Sequence, residues 1–320
     1  MKRMNMEGLL HVKRFRLDCA GGLLAILQII LLTASPIRAE VRIIPPARTC
    51  SADPEGLKRS YSESFPAEST GDLLKTMLGR MIINRDQCLE AASRFDEQID
   101  QRLITIKEAA ADIARFSSRY PTCNSLVTSE KTSIVIVSYP ININGKLFGD
   151  LALINLFATK GDPPEQFHRL ILHEWIHGFK TQHSNESDNI SNLLFSEGQA
   201  TFGVLKVSKS LSGMSIESSL DISPEHLTQA IELMCRIPWT SKQLGSQIMG
   251  LFSGGDRTFA QPRMGYFLGA KIIERLERSR SWCEIDLSFF RQHYEKILEA
   301  LQNEYCTTER GNNDAQNIRL

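Results

Sequence analysis

Leu170-Ile171-Leu172-His173-Glu174-Trp175-Ile176-His177 holds two histidines four positions apart, with a glutamate after the first and apolar residues around them. On a helix, positions i and i+4 lie on one face a turn apart, so both imidazoles can reach one ion at about 2.0–2.1 Å, the usual zinc–nitrogen distance. Glu174 then falls beside the ion without binding it. There a carboxylate can take a proton from metal-activated water and pass it to a leaving amine. The pattern H-E-x-x-H therefore predicts a helix carrying a Zn2+ site, with His173 and His177 as ligands and Glu174 as general base. Just upstream, Asp162-Pro163-Pro164-Glu165 supplies an N-cap, prolines suited to a first turn and an acidic residue, so the helix should open there and run through Phe179.

Two histidines leave a catalytic zinc one protein ligand short, and the chain offers two candidates. Glu197 follows His177 within Phe195-Ser196-Glu197-Gly198-Gln199-Ala200, a carboxylate in an otherwise apolar helix expected over 189–207. A buried carboxylate costs several kcal/mol unless paired or bound to metal, and ligation would answer that cost. The rival is His183, at the spacing of the third histidine in H-E-x-x-H-x-x-G-x-x-H. That pattern turns the chain on a glycine, and this sequence has Lys180 there. Met214, in a Gly/Ser-rich stretch, is the corresponding candidate for the methionine of that pattern.

The H-E-x-x-H, its spacing to Glu197 and the E-G-x-A form together resemble the gluzincin peptidases, and more closely the compact bacterial families of predicted zinc-dependent peptidases. The resemblance spans about residues 130–205. Beyond it, Gly265-Tyr266-Phe267-Leu268-Gly269 is similar to the Y-x-x-G stretch that often follows the glutamate helix in such families. It implies an α+β, zincin-like fold: a small β-sheet whose edge strand borders the cleft, an active-site helix and a glutamate helix, the rest mostly α-helical. It also implies Tyr266 as the first candidate for stabilising the oxyanion, ahead of His226 and His293. Thermolysin-like enzymes carry Asp four residues after the ligand glutamate to orient a histidine. Here that place is Thr201, whose hydroxyl is a weaker acceptor for an imidazole N–H. His168 and His183 read as surface histidines.

Outward from the motif, Thr132–Ser138 is β-branched throughout and Leu147–Phe157 is a second apolar run, which together predict strand followed by strand. Helical spacing of apolar residues from Asp72 to about Arg115 predicts one long or two consecutive amphipathic helices. Further helices are expected near 224–236, 264–280 and 286–305, followed by a flexible tail over 307–320. Residues 40–70, with four prolines and many Ser and Glu, read as a linker. The zinc peptidase domain is thus expected over 71–306.

The N-terminus has a different character. Lys2, Arg3, Lys13, Arg14 and Arg16 precede an almost uncharged run from Ala20 to Ala34, followed by Ser35, Pro36 and Ala39. That is the layout of an export signal, with cleavage expected after Ala39. As a helix the run reaches about 22 Å, short of the roughly 30 Å hydrocarbon core, and the alternative is a membrane anchor over 20–34. Residues 1–39 hold six Lys/Arg and two Asp/Glu, so cleavage would leave 31 basic and 35 acidic residues from the 37 of each. Cys50, Cys88, Cys123, Cys235, Cys283 and Cys306 would remain, an even set suited to disulfides in an oxidising compartment such as a periplasm.

The net charge of zero and the absence of a basic stripe interleaved with aromatics argue against a nucleic-acid partner. The expected partner is a protein or peptide substrate, with a membrane involved only through an uncleaved N-terminus. Two other functions remain open on the sequence: a catalytically idle zinc domain that binds a partner in the cell envelope, and a zinc hydrolase of non-peptide amides. An intact Glu174 weighs against the first, since a structural site has no use for a base. The second stands because specificity pockets lie outside the motif.

Overall fold

The structure, a computed structural model, describes residues 10–19, 23–32, 41–43, 85–120, 123, 133–138, 144–148, 151–180, 190–220, 222, 224–235 and 264–317. They are mainly helical and contain a small mixed sheet. The chain divides into two compact units, Met1–Phe179 and Lys180–Leu320.

The first unit holds the sheet, whose strands are β1 (Leu10–Cys19), β2 (Leu23–Leu32), β3 (Val41–Ile43), β4 (Ser133–Val137), β5 (Gly145–Phe148) and β6 (Leu151–Asn155). Their order is β1-β2-β3-β4-β6-β5, with β4 parallel to both neighbours and the other pairs antiparallel. Ile134, Val135, Ile136 and Val137 are all buried. A strand covered on both faces has no polar side to show, which is why Ile134–Val137 of β4 reads as an unbroken β-branched run.

Three details differ from the sequence reading. The run Leu147–Phe157 is a hairpin rather than one strand, with Phe148 paired to Leu151 across Gly149-Asp150. Gly-Asp between two apolar runs is a hairpin signal in its own right. Val41–Ile43, within the expected linker, is a strand with Val41 and Ile43 buried. The apolar heart of the expected export segment, Leu23–Leu32, pairs as a strand with β1 and β3. A continuous apolar run has no periodicity to separate strand from helix.

Among the described residues this unit also holds the helices α1 (Arg85–Arg119) and α2 (Pro164–Lys180). The earlier part of the expected helical region, 72–84, lies outside the described residues. Ile99, Ile106, Ala110 and Ile113 of α1 are buried as their spacing predicts.

Among the described residues the second unit holds α3 (Ile190–Val207), the short α4 (Ile216–Ser219), α5 (Pro224–Cys235), α6 (Met264–Glu277) and α7 (Leu287–Asn317), with a 3-10 turn at Trp282–Glu284. The helical bounds of α7 pass Cys306 and take in most of the residues expected as a tail. A disulfide between Cys235 and Cys306 joins α5 to α7. Cys123 in the first unit and Cys283 in this one are each in a disulfide as well.

Lys271 of α6 lies 3.1 Å from Glu217 and from Glu274, and forms the charged centre of this unit. Burial works to raise the Glu217 carboxyl, but its own backbone N–H and the hydrogen bond and charge of Lys271 outweigh it, and its pKa lies below the ordinary 4.5. Burial works to lower Lys271, yet Glu217, Tyr305 and Glu274 hold it above 10.5. Among the described residues no helix is long and apolar enough to cross a membrane.

Candidate metal centre

The entry to α2 is fixed from α1. Arg102, nearly buried, donates from its guanidinium to the carbonyls of Thr159 (3.1 Å) and Asp162 (2.5 Å) and lies over the Phe167 ring at 4.7 Å. Burial lowers its pKa from the ordinary arginine value, with the nearby Asp162 charge opposing. Buried carbonyls need donors, and one guanidinium serves two of them at the turn before the helix.

Along α2, Phe167, Ile171, Leu172, Trp175 and Ile176 are buried, and Trp175 meets Phe116 of α1 edge-on at 6.4 Å. His173 and His177 occupy the remaining stripe and are partly exposed. His168, expected at the surface, is instead 8 % exposed, with Nε2 3.4 Å from Asp112 Oδ2. The same carboxylate meets Arg115 at 2.8 Å. His168 lies beside Phe167 on the packed side of the helix, and a paired histidine can occupy a site where an isolated polar group would not be stable.

The two motif imidazoles stand nearly perpendicular, at 87°, with Nε2 atoms 3.1 Å apart. Two nitrogens bound to one tetrahedral ion at about 2.0–2.1 Å lie roughly 3.3 Å apart. The observed separation is close to that spacing. One ligand atom from each of His173, His177 and Glu197 lies within 4.8 Å of the others, and all three side chains are partly exposed. The donor set, two imidazoles and one carboxylate, suits zinc. Glu174, the residue after His173, is 7 % exposed.

Glu197 sits on a helix held along its length. Asn192 accepts from Arg291 of α7 at 2.8 Å, Gln199 donates to the Ile285 carbonyl at 3.0 Å, and Lys206 pairs with Glu277 of α6 at 2.6 Å. Between these ties α3 and α6 touch backbone to backbone. A Cβ built on Gly198 would lie 2.3 Å from the Gly269 carbonyl carbon, and one on Gly269 would lie 2.3 Å from the Leu194 carbonyl oxygen. The glycines of E-G-x-A and Y-x-x-G are therefore the two sides of one helix crossing, next in sequence to Glu197.

The remaining candidates divide. Thr201 lies one turn beyond Glu197 and is buried, but its hydroxyl has no hydrogen-bond partner, so it does not hold an imidazole here. Tyr266 lies near the start of α6, partly exposed and one turn before Gly269. His293 is turned to its own helix, with Nδ1 2.8 Å from the Phe289 carbonyl. The side chain of His226 and all of His183 lie outside the described residues. α2 continues through Lys180, where the rival pattern would turn on glycine, and Met214 is 39 % exposed. The Arg102 clamp and the glycine crossing were not anticipated from sequence, although both glycines stood in the motifs that were. Comparison with protein-family models, with curated proteins and with solved structures finds no match.

Proposed function

We propose that the chain is a zinc-dependent peptidase of gluzincin type, with a zincin-like catalytic domain in which His173, His177 and Glu197 hold the metal and Glu174 is the general base. The observation that carries this reading is the convergence of those three ligand atoms, with the histidine Nε2 atoms 3.1 Å apart. A zinc ion held there would polarise a carbonyl oxygen and acidify water. Glu174 would receive the proton released as water attacks and return it to the leaving nitrogen. Tyr266, on the face of α6 that carries Gly269, is the candidate donor to the developing oxyanion. β5 is last in the sheet order among the described strands, and an extended peptide would pair along that edge.

The export reading accompanies this one. β3, β4, β6 and β5 all lie beyond Ala39 and are consecutive in the sheet, so cleavage there would leave them joined.

Metal analysis of the purified chain tests the ligands. About one zinc per chain is expected, lost in His173→Ala and His177→Ala, because two remaining ligands make no tight catalytic site. Glu197→Ala should weaken zinc binding more than about 100-fold, the upper range for mere outer-shell partners, whereas His183→Ala should leave it unchanged. The opposite pair of results would move the third ligand to His183. Glu174→Gln should keep its zinc while cleavage of a quenched-fluorescent peptide mixture falls about 10²–10⁴-fold, the usual contribution of a general base.

A further inference from the structure

We propose that Gly145, the first residue of β5, is a positioning residue for Glu174, and that the space its missing side chain leaves is where the base stands. The inference rests on the peptidase reading for its catalytic consequence, but its geometry stands alone. A Cβ built on Gly145 would lie 2.7 Å from Cγ, 3.0 Å from Cδ and 2.9 Å from Oε1 of Glu174. Three atoms of one side chain thus fill the place that any other residue would take. Backbone conformation gives no reason for glycine here, since Gly213 is the described glycine with positive φ, and Gly145 is ordinary strand.

Neighbouring register shows which surface is involved. Gly145 is paired with Ile154 and Leu147 with Ala152, so these four share one sheet face, while Lys146 and Leu153 share the other. Ile154 and Ala152 are buried. Glu174 reaches that face at its outer corner, where the sheet order ends. The strand that would align a peptide therefore passes in contact with the group that would activate water for it.

The kind of atom met decides the effect of a substitution. The atoms in the way, Cγ, Cδ and Oε1, belong to a side chain rather than to backbone, so alanine at 145 can be accommodated by a change of rotamer at Glu174. A misplaced base lowers turnover without weakening the metal or ground-state binding. A merely structural glycine would instead show its loss in thermal stability.

The test is Gly145→Ala, alone and combined with Glu174→Gln. The single variant should bind zinc as the parent does, melt within a few degrees of it, and lose at least about tenfold in kcat with KM little changed, since a 1 Å misplacement can cost about 10²-fold. In the Glu174→Gln background the same change should cause no further loss, because the group it displaces is already disabled. A crystal structure of Gly145→Ala should show the Glu174 carboxylate moved, with His173 and His177 in place. Full kcat in the single variant, an additive loss in the double variant or an unmoved carboxylate would each overturn the proposal. A parent chain that binds no zinc and cleaves no peptide would sink the peptidase reading, and the crystallographic comparison would then decide the positioning of Glu174.

Discussion

Replacing Gly269 by alanine puts the α3–α6 crossing to a quantitative test. The new Cβ would sit 2.3 Å from the Leu194 carbonyl oxygen and 2.9 Å from both Cα and N of Gly198. Ordinary contacts fall near 3.5 Å, so the helices must part by roughly 1 Å. Backbone atoms cannot rotate away as a side chain can. Overpacking of this kind costs about 1–3 kcal/mol, and the upper end applies because backbone is struck. Alanine offsets this by about 0.5–1 kcal/mol through its better helix propensity. A net loss of about 2 kcal/mol remains. At about 2–4 °C per kcal/mol for a domain of this size, the melting temperature of metal-free protein, followed by circular dichroism, should fall by about 4–8 °C. On the proposed ligation by Glu197, which precedes Gly198, zinc affinity should fall as well, since ligand distances tolerate only about 0.2 Å. Gly198→Ala should act alike, and the double variant should lose less than both losses combined, because helices already parted have room for the second methyl. A Gly269→Ala protein that melts at or above the parent and binds zinc equally well would refute the argument.

The Glu217–Lys271 pair should shape stability against pH at both ends. The folded pKa of Glu217 lies below its ordinary 4.5, so its contribution is present above that value and lost as pH falls through the lower folded pKa. The folded pKa of Lys271 lies above 10.5, so its contribution is present below that value and lost as pH rises through the higher one. Glu217→Gln should reduce the acid-side slope in urea unfolding and cost about 1.5–3 kcal/mol at neutral pH, the range for a hydrogen bond to a charged group; an unchanged slope would dismiss the pair. Arg102→Met strips the Thr159 and Asp162 carbonyls of their donor and should cost about 1–3 kcal/mol, with faster amide exchange across 159–167; unchanged exchange there would count against the clamp. Cys306→Ser opens a cross-link spanning a sequence separation of 71 and should cost up to about 4 kcal/mol in unfolding measured without reductant, a loss that vanishes when parent and variant are compared in reductant.

How much of this was legible in the sequence depended on the range of the interaction. The motif helix, α3, α5 and α6 follow from apolar spacing and local caps, and their bounds come close to those expected. β4 was legible because both its faces are buried. The hairpin of β5 and β6 interrupts an apolar run only at one dipeptide, and Gly149-Asp150 is the local signal for it. His168 was misjudged because its partner, Asp112, is supplied by another helix, and no local pattern shows it. The placement of His173, Glu174 and His177 on one helix lies within about one turn and could be read directly. The spacing in the sequence pointed to Glu197, but the glycine pair that seats its helix depends on which helices meet. That is tertiary information.

The pairing of β3 with β4 has a consequence for the order in which the sheet assembles. Val41 lies opposite Ile134, while β5 and β6 meet across a two-residue connection. Loop closure grows as about (3/2)RT ln n; 89 residues separate β3 from β4 and 13 separate β4 from β6, so bringing β3 home costs roughly 2 kcal/mol more entropy than pairing β4 with β6. The return for that cost is a three-residue strand. Local pairing should come first, leaving one side of β4 as an open ladder until the distant segment arrives. During that interval β4, apolar on both faces, is a template for strands of other molecules. Pulse-labelled amide exchange should therefore show the β4 amides that face β6 protected before those that face β3, and simultaneous protection would rule out the sequence of events.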